Sequence, residues 1–177
     1  MISNTHGLNS SYLEIGCASD ELFNSVACYD KVGVDPNTGG THRMTSDQFF
    51  MSNEKHFDVI FIDGLHEYPQ VRKDAFNALS FLEDSGWIAF HDFLPSNWKE
   101  QHVPRISNAW TGDCWKFALE LMQGTGIEFK IIEVDCGVGL LRKTCSSWNI
   151  PNLSNELAKA NFGTFVKAKE RLPIISF

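Results

Sequence analysis

A chain of 177 residues, 43% hydrophobic and 21% charged, is long enough for one domain with a buried core and too apolar to stay disordered. Its net charge of −7 lacks the cationic footprint of a general nucleic-acid or anionic-membrane binder. No apolar stretch approaches the ~20 residues of a membrane span, no basic-then-apolar leader opens the chain, and five cysteines without a Cys-x-x-Cys pair point to reduced thiols in a cytoplasmic protein, not a zinc knuckle.

After a polar lead-in of ten residues, Tyr12–Ile15 reads as a short strand running into Gly16-Cys17-Ala18-Ser19. A helix is expected over about Asp20–Ala27, with Ser19 or Asp20 as its cap and Leu22, Phe23 and Val26 as its apolar stripe. Lys31–Val34 is the second strand, ending at Asp35-Pro36. Residues 37–40 form a loop where a fuller fold carries a helix. Thr45-x-x-Gln48 is a capping box for a short helix through Phe50.

Phe57 to His66 organises the rest. Val59–Ile62 is an uninterrupted apolar run, the mark of a strand buried on both faces in a parallel sheet. It stops at Asp63-Gly64, where open α/β sheets bind ligands. Pro69 suits the first position of a long helix reaching about Glu83, with Tyr68, Val71, Ala75, Leu79 and Leu82 on one face and Gly86 as its stop. Trp87–Phe90 is another buried strand, ending at His91-Asp92. Residues 93–110 look irregular, and a loop of that length is usually functional. A helix over Asp113–Met122, two closing strands at Phe129–Val134 and Val138–Leu141, a helix at 153–162 and a tail from Leu172 to Phe177 complete the chain. Alternating strands and helices define an α/β fold with a mainly parallel sheet, an antiparallel C-terminal edge hairpin and helices on both faces, in one domain spanning 1–177.

A strand, a glycine turn, a helix and then an acid at the next strand's end is a nucleotide-binding arrangement. Asp35 follows Gly16 by 19 residues, close to the ~20 typical of a carboxylate that grips ribose hydroxyls. A dinucleotide needs Gly-x-Gly-x-x-Gly around its pyrophosphate. Here Ala18 replaces the second glycine and Asp20 would repel phosphate. S-adenosylmethionine has no phosphate and carries a sulfonium and an ammonium, with which Glu14 and Asp20 are compatible.

Tyr-Leu-Glu-Ile-Gly (12–16), Gly-Val-Asp-Pro (33–36), Phe-Asp-Val-Ile-Phe-Ile-Asp-Gly-Leu-His (57–66) and Trp-Ile-Ala-Phe-His-Asp (87–92) together resemble a class I S-adenosylmethionine-dependent methyltransferase, in the branch of sugar and antibiotic-tailoring O-methyltransferases. Met44–Phe50, Gly112–Lys116 and Cys136–Gly139 also resemble that branch. The likeness spans about residues 12–143, with 144–177 as an extension. It implies a Rossmann-like fold and a set of roles. Glu14 and Gly16 border the methionine part of the cofactor, Asp35 binds the ribose, Ser46 or Asp47 lies near the adenine, and Asp63 stands beside the methyl group.

On the acceptor side, His66 and His91 both follow strand ends and titrate near neutrality, so either suits a general base for a hydroxyl. Asp63, His91 and Asp92 form a candidate set for Mg²⁺ or another divalent metal, as in some relatives. Trp98, Trp110 and Trp115 are candidates to stack on a sugar, and Arg105 and Lys116 to hold an anionic group. The expected partner is a small-molecule or saccharide acceptor, with nucleic acid and membrane excluded and self-association left open. Two alternatives stand beside methyl transfer: a degenerate domain that binds a nucleotide or partner without catalysis, and an NAD-linked oxidoreductase.

Overall fold

The computed structural model describes residues 5–176. Seven strands form one mixed sheet in the order β2-β1-β3-β4-β6-β5-β7. The chain divides into two compact units, one running up to Leu65 and taking in Lys73–Ala89, the other comprising His66–Arg72 and everything from Phe90 onward.

In the first unit, β1 (Ser11–Ile15) pairs in parallel with both β2 (Asp30–Val34) and β3 (Phe57–Ile62). Leu13 and Ile60 are fully buried, as strands covered on two faces require. Between β1 and β2 lies α1 (Glu21–Ser25), only five residues long. It is shorter than expected, and of its stripe Phe23 is buried while Leu22 is 42% exposed. Phe23 joins Tyr12, Cys17, Cys28 and Val59 in a buried cluster. The capping box opens α2 (Ser46–Ser52) as expected, with both reciprocal bonds formed between Thr45 and Gln48. Phe49 and Phe50 on that helix meet edge to face at 5.5 Å, and Phe50 stacks on Phe81 at 5.9 Å.

The next two elements differ from expectation. Helix α3 (Tyr68–Ser80) ends before Leu82, and β4 (Leu82–Phe90) begins there, not at Trp87. Leu82 is buried, so it reads equally well as the end of a helical face or the start of a strand. The exposed Glu83-Asp84-Ser85 that follows hid the strand.

In the second unit, α4 (Trp115–Leu121) is buried on nearly every side, with Trp115, Phe117 and Ala118 fully inaccessible. The closing strands β5 (Ile127–Ile132) and β6 (Val138–Lys143) pair antiparallel, from Ile127 opposite Lys143 to Ile132 opposite Val138. The hairpin is therefore real, but it is not the edge: β7 (Ile174–Ile175) pairs in parallel with β5 outside it. The helix expected at 153–162 is two, α5 (Ser154–Leu157) and α6 (Phe162–Lys169). Asn161 and Thr164 cap α6 reciprocally, and Phe165 packs edge to face on Trp115 at 5.4 Å. Phe177, at the end of the expected tail, lies outside the described residues. Among the described residues no helix is long and apolar enough to cross a membrane.

Candidate active site

In the first unit, three strand ends are tied together by backbone bonds. Gly16, leaving β1, donates its N–H to Val34 O at 2.8 Å, and Asp63, leaving β3, donates to Ile15 O at 2.8 Å. Gly16 has φ +90°, and a Cβ there would lie 2.1 Å from the Asp63 carbonyl oxygen, so only glycine fits.

Asp35 leaves β2 and is 8% exposed. Its Oδ1 accepts the N–H groups of Asn37 (2.7 Å) and Thr38 (2.9 Å), and its Oδ2 accepts that of Ala18 (3.1 Å) in the glycine turn. Burial works to raise its pKa, but the three amides outweigh burial and hold the carboxyl below its ordinary range. Asp20 sits in the turn with φ +63° and accepts the Gly40 N–H at 2.6 Å.

Glu14 is buried on β1 and accepts the Tyr12 phenol at 2.5 Å. Burial pushes its pKa up; the Tyr12 bond opposes the rise and the neighbouring Asp63 adds to it. Ser46 opens α2, and Asp47 in the same turn pairs with Lys73 at 2.6 Å.

The second unit carries a chain of alternating imidazoles and carboxylates. His66 Nδ1 lies 2.8 Å from Asp92 Oδ2 and 3.2 Å from Trp110 O. His91 Nδ1 lies 3.4 Å from Asp92 Oδ1, and its Nε2 lies 3.1 Å from Asp135 Oδ2. Asp92 is 4% exposed with φ +67°. Burial would raise its pKa, but the bonds from both imidazoles overcome that and bring it below the ordinary range. A carboxylate accepts, so the nitrogen facing it carries the proton. For His66 both Asp92 Oδ2 and Trp110 O face Nδ1, which places hydrogen there. His91 faces carboxylates with both nitrogens.

The backbone holds His66 in place. Asp113 donates its N–H to His66 O at 3.2 Å, and Asp113 Oδ1 accepts the Tyr68 N–H at 2.6 Å, satisfying a donor at the start of α3. The imidazole lies flat on the Trp110 indole, centroids 5.3 Å apart and planes 10° apart.

Residues 20–93 match the family model described as a methyltransferase domain. The SAH-bound methyltransferase PaMTH1 of Podospora anserina has a similar fold, with TM-score 0.51, 19% identity, and 76% of this chain aligned to 71% of that one. A Corynebacterium glutamicum protein gives 0.53 at 11% identity over 81% and 76%. The MycE methyltransferase of mycinamycin biosynthesis, solved with Mg and SAH, gives 0.53 at 15% identity over 85% of this chain. The fold is that of a class I S-adenosylmethionine-dependent methyltransferase. The chain spans half the length of MycE, and no curated protein matches it.

Within this methyltransferase fold several candidates take structural roles. Trp115 is fully buried, so it is core and not a stacking surface; its indole N–H donates to Gln101 at 3.2 Å. Lys116 is buried against Asp113 at 2.9 Å. Arg105 donates to Ser107 O and Asn108 O in its own loop and lies over the Trp110 ring. Trp98 remains 52% exposed. Burial pushes the Cys17 thiol up to about 12, which suits packing and not nucleophilic attack. Sequence reasoning missed Asp135, whose place opposite His91 depends on the β5–β6 turn. It also missed the bond from Asp20 to Gly40, which spans two loops.

Proposed function

We propose that this chain transfers the methyl group of S-adenosylmethionine to a hydroxyl of a small molecule or saccharide. The observation that carries the reading is the Asp92–His66 bond, in which a buried carboxylate orients the imidazole, as a general base for an alcohol requires. When bound, S-adenosylmethionine supplies an electrophilic methyl on a positively charged sulfur. With the cofactor bound, His66 would take the hydroxyl proton as the acceptor oxygen receives the methyl group, leaving a methyl ether and S-adenosylhomocysteine.

The first unit supports the cofactor assignment. Asp35 is aimed at the glycine turn and kept ionised, which suits ribose hydroxyls. Glu14 and Gly16 border the methionine part, Ser46 and Asp47 the adenine, and Asp63 the methyl group. MycE was solved with Mg, and of the cation ligands that the sequence suggests, His91 and Asp92 adjoin in the second unit. His91 fits that role poorly, since both its nitrogens already face carboxylates. No step is therefore assigned to a metal.

The test is a panel of hydroxylated acceptors with methyl-labelled S-adenosylmethionine, with and without chelator. Label appearing in an ether supports the reading. S-adenosylhomocysteine binding without transfer to any acceptor argues against catalysis, and activity lost to chelator and restored by Mg²⁺ adds the cation.

A further inference from the structure

Asp20 occupies the position where an aspartate ordinarily caps the first amides of a helix. Its side chain makes no such bond. It turns instead to the Gly40 N–H, 2.6 Å away on the connector that follows β2. In the opposite direction, Asp35 at the start of that connector accepts the Ala18 N–H of the glycine turn at 3.1 Å. Two carboxylates thus cross between turn and connector, each holding an amide of the other segment. Gly39 closes the seam: a Cβ there would lie 2.5 Å from Ala18 O and 2.6 Å from Asp20 Oδ1. The connector also carries Asn37 and Thr38, whose amides fix Asp35 Oδ1.

We propose that Asp20 is a positioning residue for the cofactor. By holding Gly40 it fixes the connector, and the connector fixes the orientation in which Asp35 meets the ribose. The inference rests on the reading of Asp35 as the ribose acid given above. It differs from a purely electrostatic role, in which the Asp20 charge attracts the sulfonium. A clamp needs an acceptor atom; an attracting charge needs a charge.

The experiment is calorimetric titration of wild type, Asp20→Ala, Asp20→Asn and Gly39→Ala with S-adenosylmethionine, S-adenosylhomocysteine and adenosine, alongside unliganded melting curves. Asp20→Ala is expected to weaken all three ligands by the same factor, roughly tenfold, the loss of one charge-assisted hydrogen bond. Asp20→Asn keeps an acceptor and is expected within about threefold of wild type. Gly39→Ala leaves Asp20 in place but drives a methyl into the clamp, and is expected to weaken all three ligands together. Wild-type affinity in Asp20→Ala overturns the proposal. So does an Asp20→Asn as weak as Asp20→Ala with a larger loss for the sulfonium ligand than for the other two. A wild type that binds none of the ligands overturns the function proposed above, and this inference with it.

Discussion

Asp92 holds His66 at 2.8 Å and His91 at 3.4 Å with its two oxygens, one buried acid serving two imidazoles. The two histidines are not equivalent. His66 lies closer to that acid and is stacked on Trp110, whereas His91 also reaches the exposed Asp135. His66→Gln is therefore expected to lower kcat by about 10²–10⁴ with S-adenosylhomocysteine affinity unchanged, the usual worth of a general base. His91→Gln is expected to cost under tenfold. Rates on an acceptor from the screen, with titrations of both variants, check this; the reverse order of effects would assign the base to His91.

The same acid makes a pH prediction. The folded pKa of Asp92 lies below its ordinary value, so its ionised form stabilises the fold at pH values above the unfolded pKa of ~3.9. That contribution is lost as pH falls through the folded pKa. Asp92→Asn should be less stable than wild type at pH 7, with the gap narrowing steadily below about pH 4. Urea unfolding of both proteins across that range measures it. A gap that stays constant into acid would mean the charge of Asp92 is not what stabilises.

Asp35 joins stability to binding. Its carboxylate accepts three backbone N–H groups, so Asp35→Ala removes partners from all three and costs about 1–3 kcal/mol. S-adenosylhomocysteine affinity should fall by at least tenfold. Asp35→Asn keeps the shape, recovers much of the stability and leaves ribose binding impaired. Calorimetry on folded Asp35→Asn separates the two effects; wild-type affinity there would remove the ribose role.

Where the residues state their own local rule, the fold was legible. The Val59–Ile62 run, the Thr45–Gln48 box and the Gly16 turn each name their structure without help from elsewhere. Leu82 misled because a buried leucine serves a helix face or a strand equally, and only its tertiary setting decides. Asn161 and Thr164 cap α6 by the reciprocal logic of a Ser/Thr–Glu box, but in residue types that rarely announce it. The candidate site divides the same way. Asp35, Asp63, His66, His91 and Asp92 were readable as strand-end residues. Which groups face each imidazole was not, because that depends on Trp110 and Asp135, 44 residues after each histidine.

Glu120 supports this arrangement from within the core. It is fully buried on α4 and accepts from Tyr68 Oη at 2.5 Å, Arg72 Nε at 2.8 Å and Leu153 N at 2.8 Å. Tyr68 and Arg72 lie in the first turns of α3, just after His66. Removing one partner of a buried ion pair costs about 3–5 kcal/mol. The Arg72 side chain is 23% exposed and can recover some water, which places Glu120→Ala at the lower end, about 3 kcal/mol. Against a total stability of about 5–15 kcal/mol this is a large share. Glu120→Gln keeps an acceptor for Tyr68 and Leu153 but turns an amide toward Arg72, and should cost less. The expected signature is a lower urea midpoint at unchanged slope for both variants, larger for alanine. Loosening the start of α3 should also lower kcat more than it changes S-adenosylhomocysteine affinity. A Glu120→Ala midpoint equal to wild type would show that the cluster does not anchor the helix.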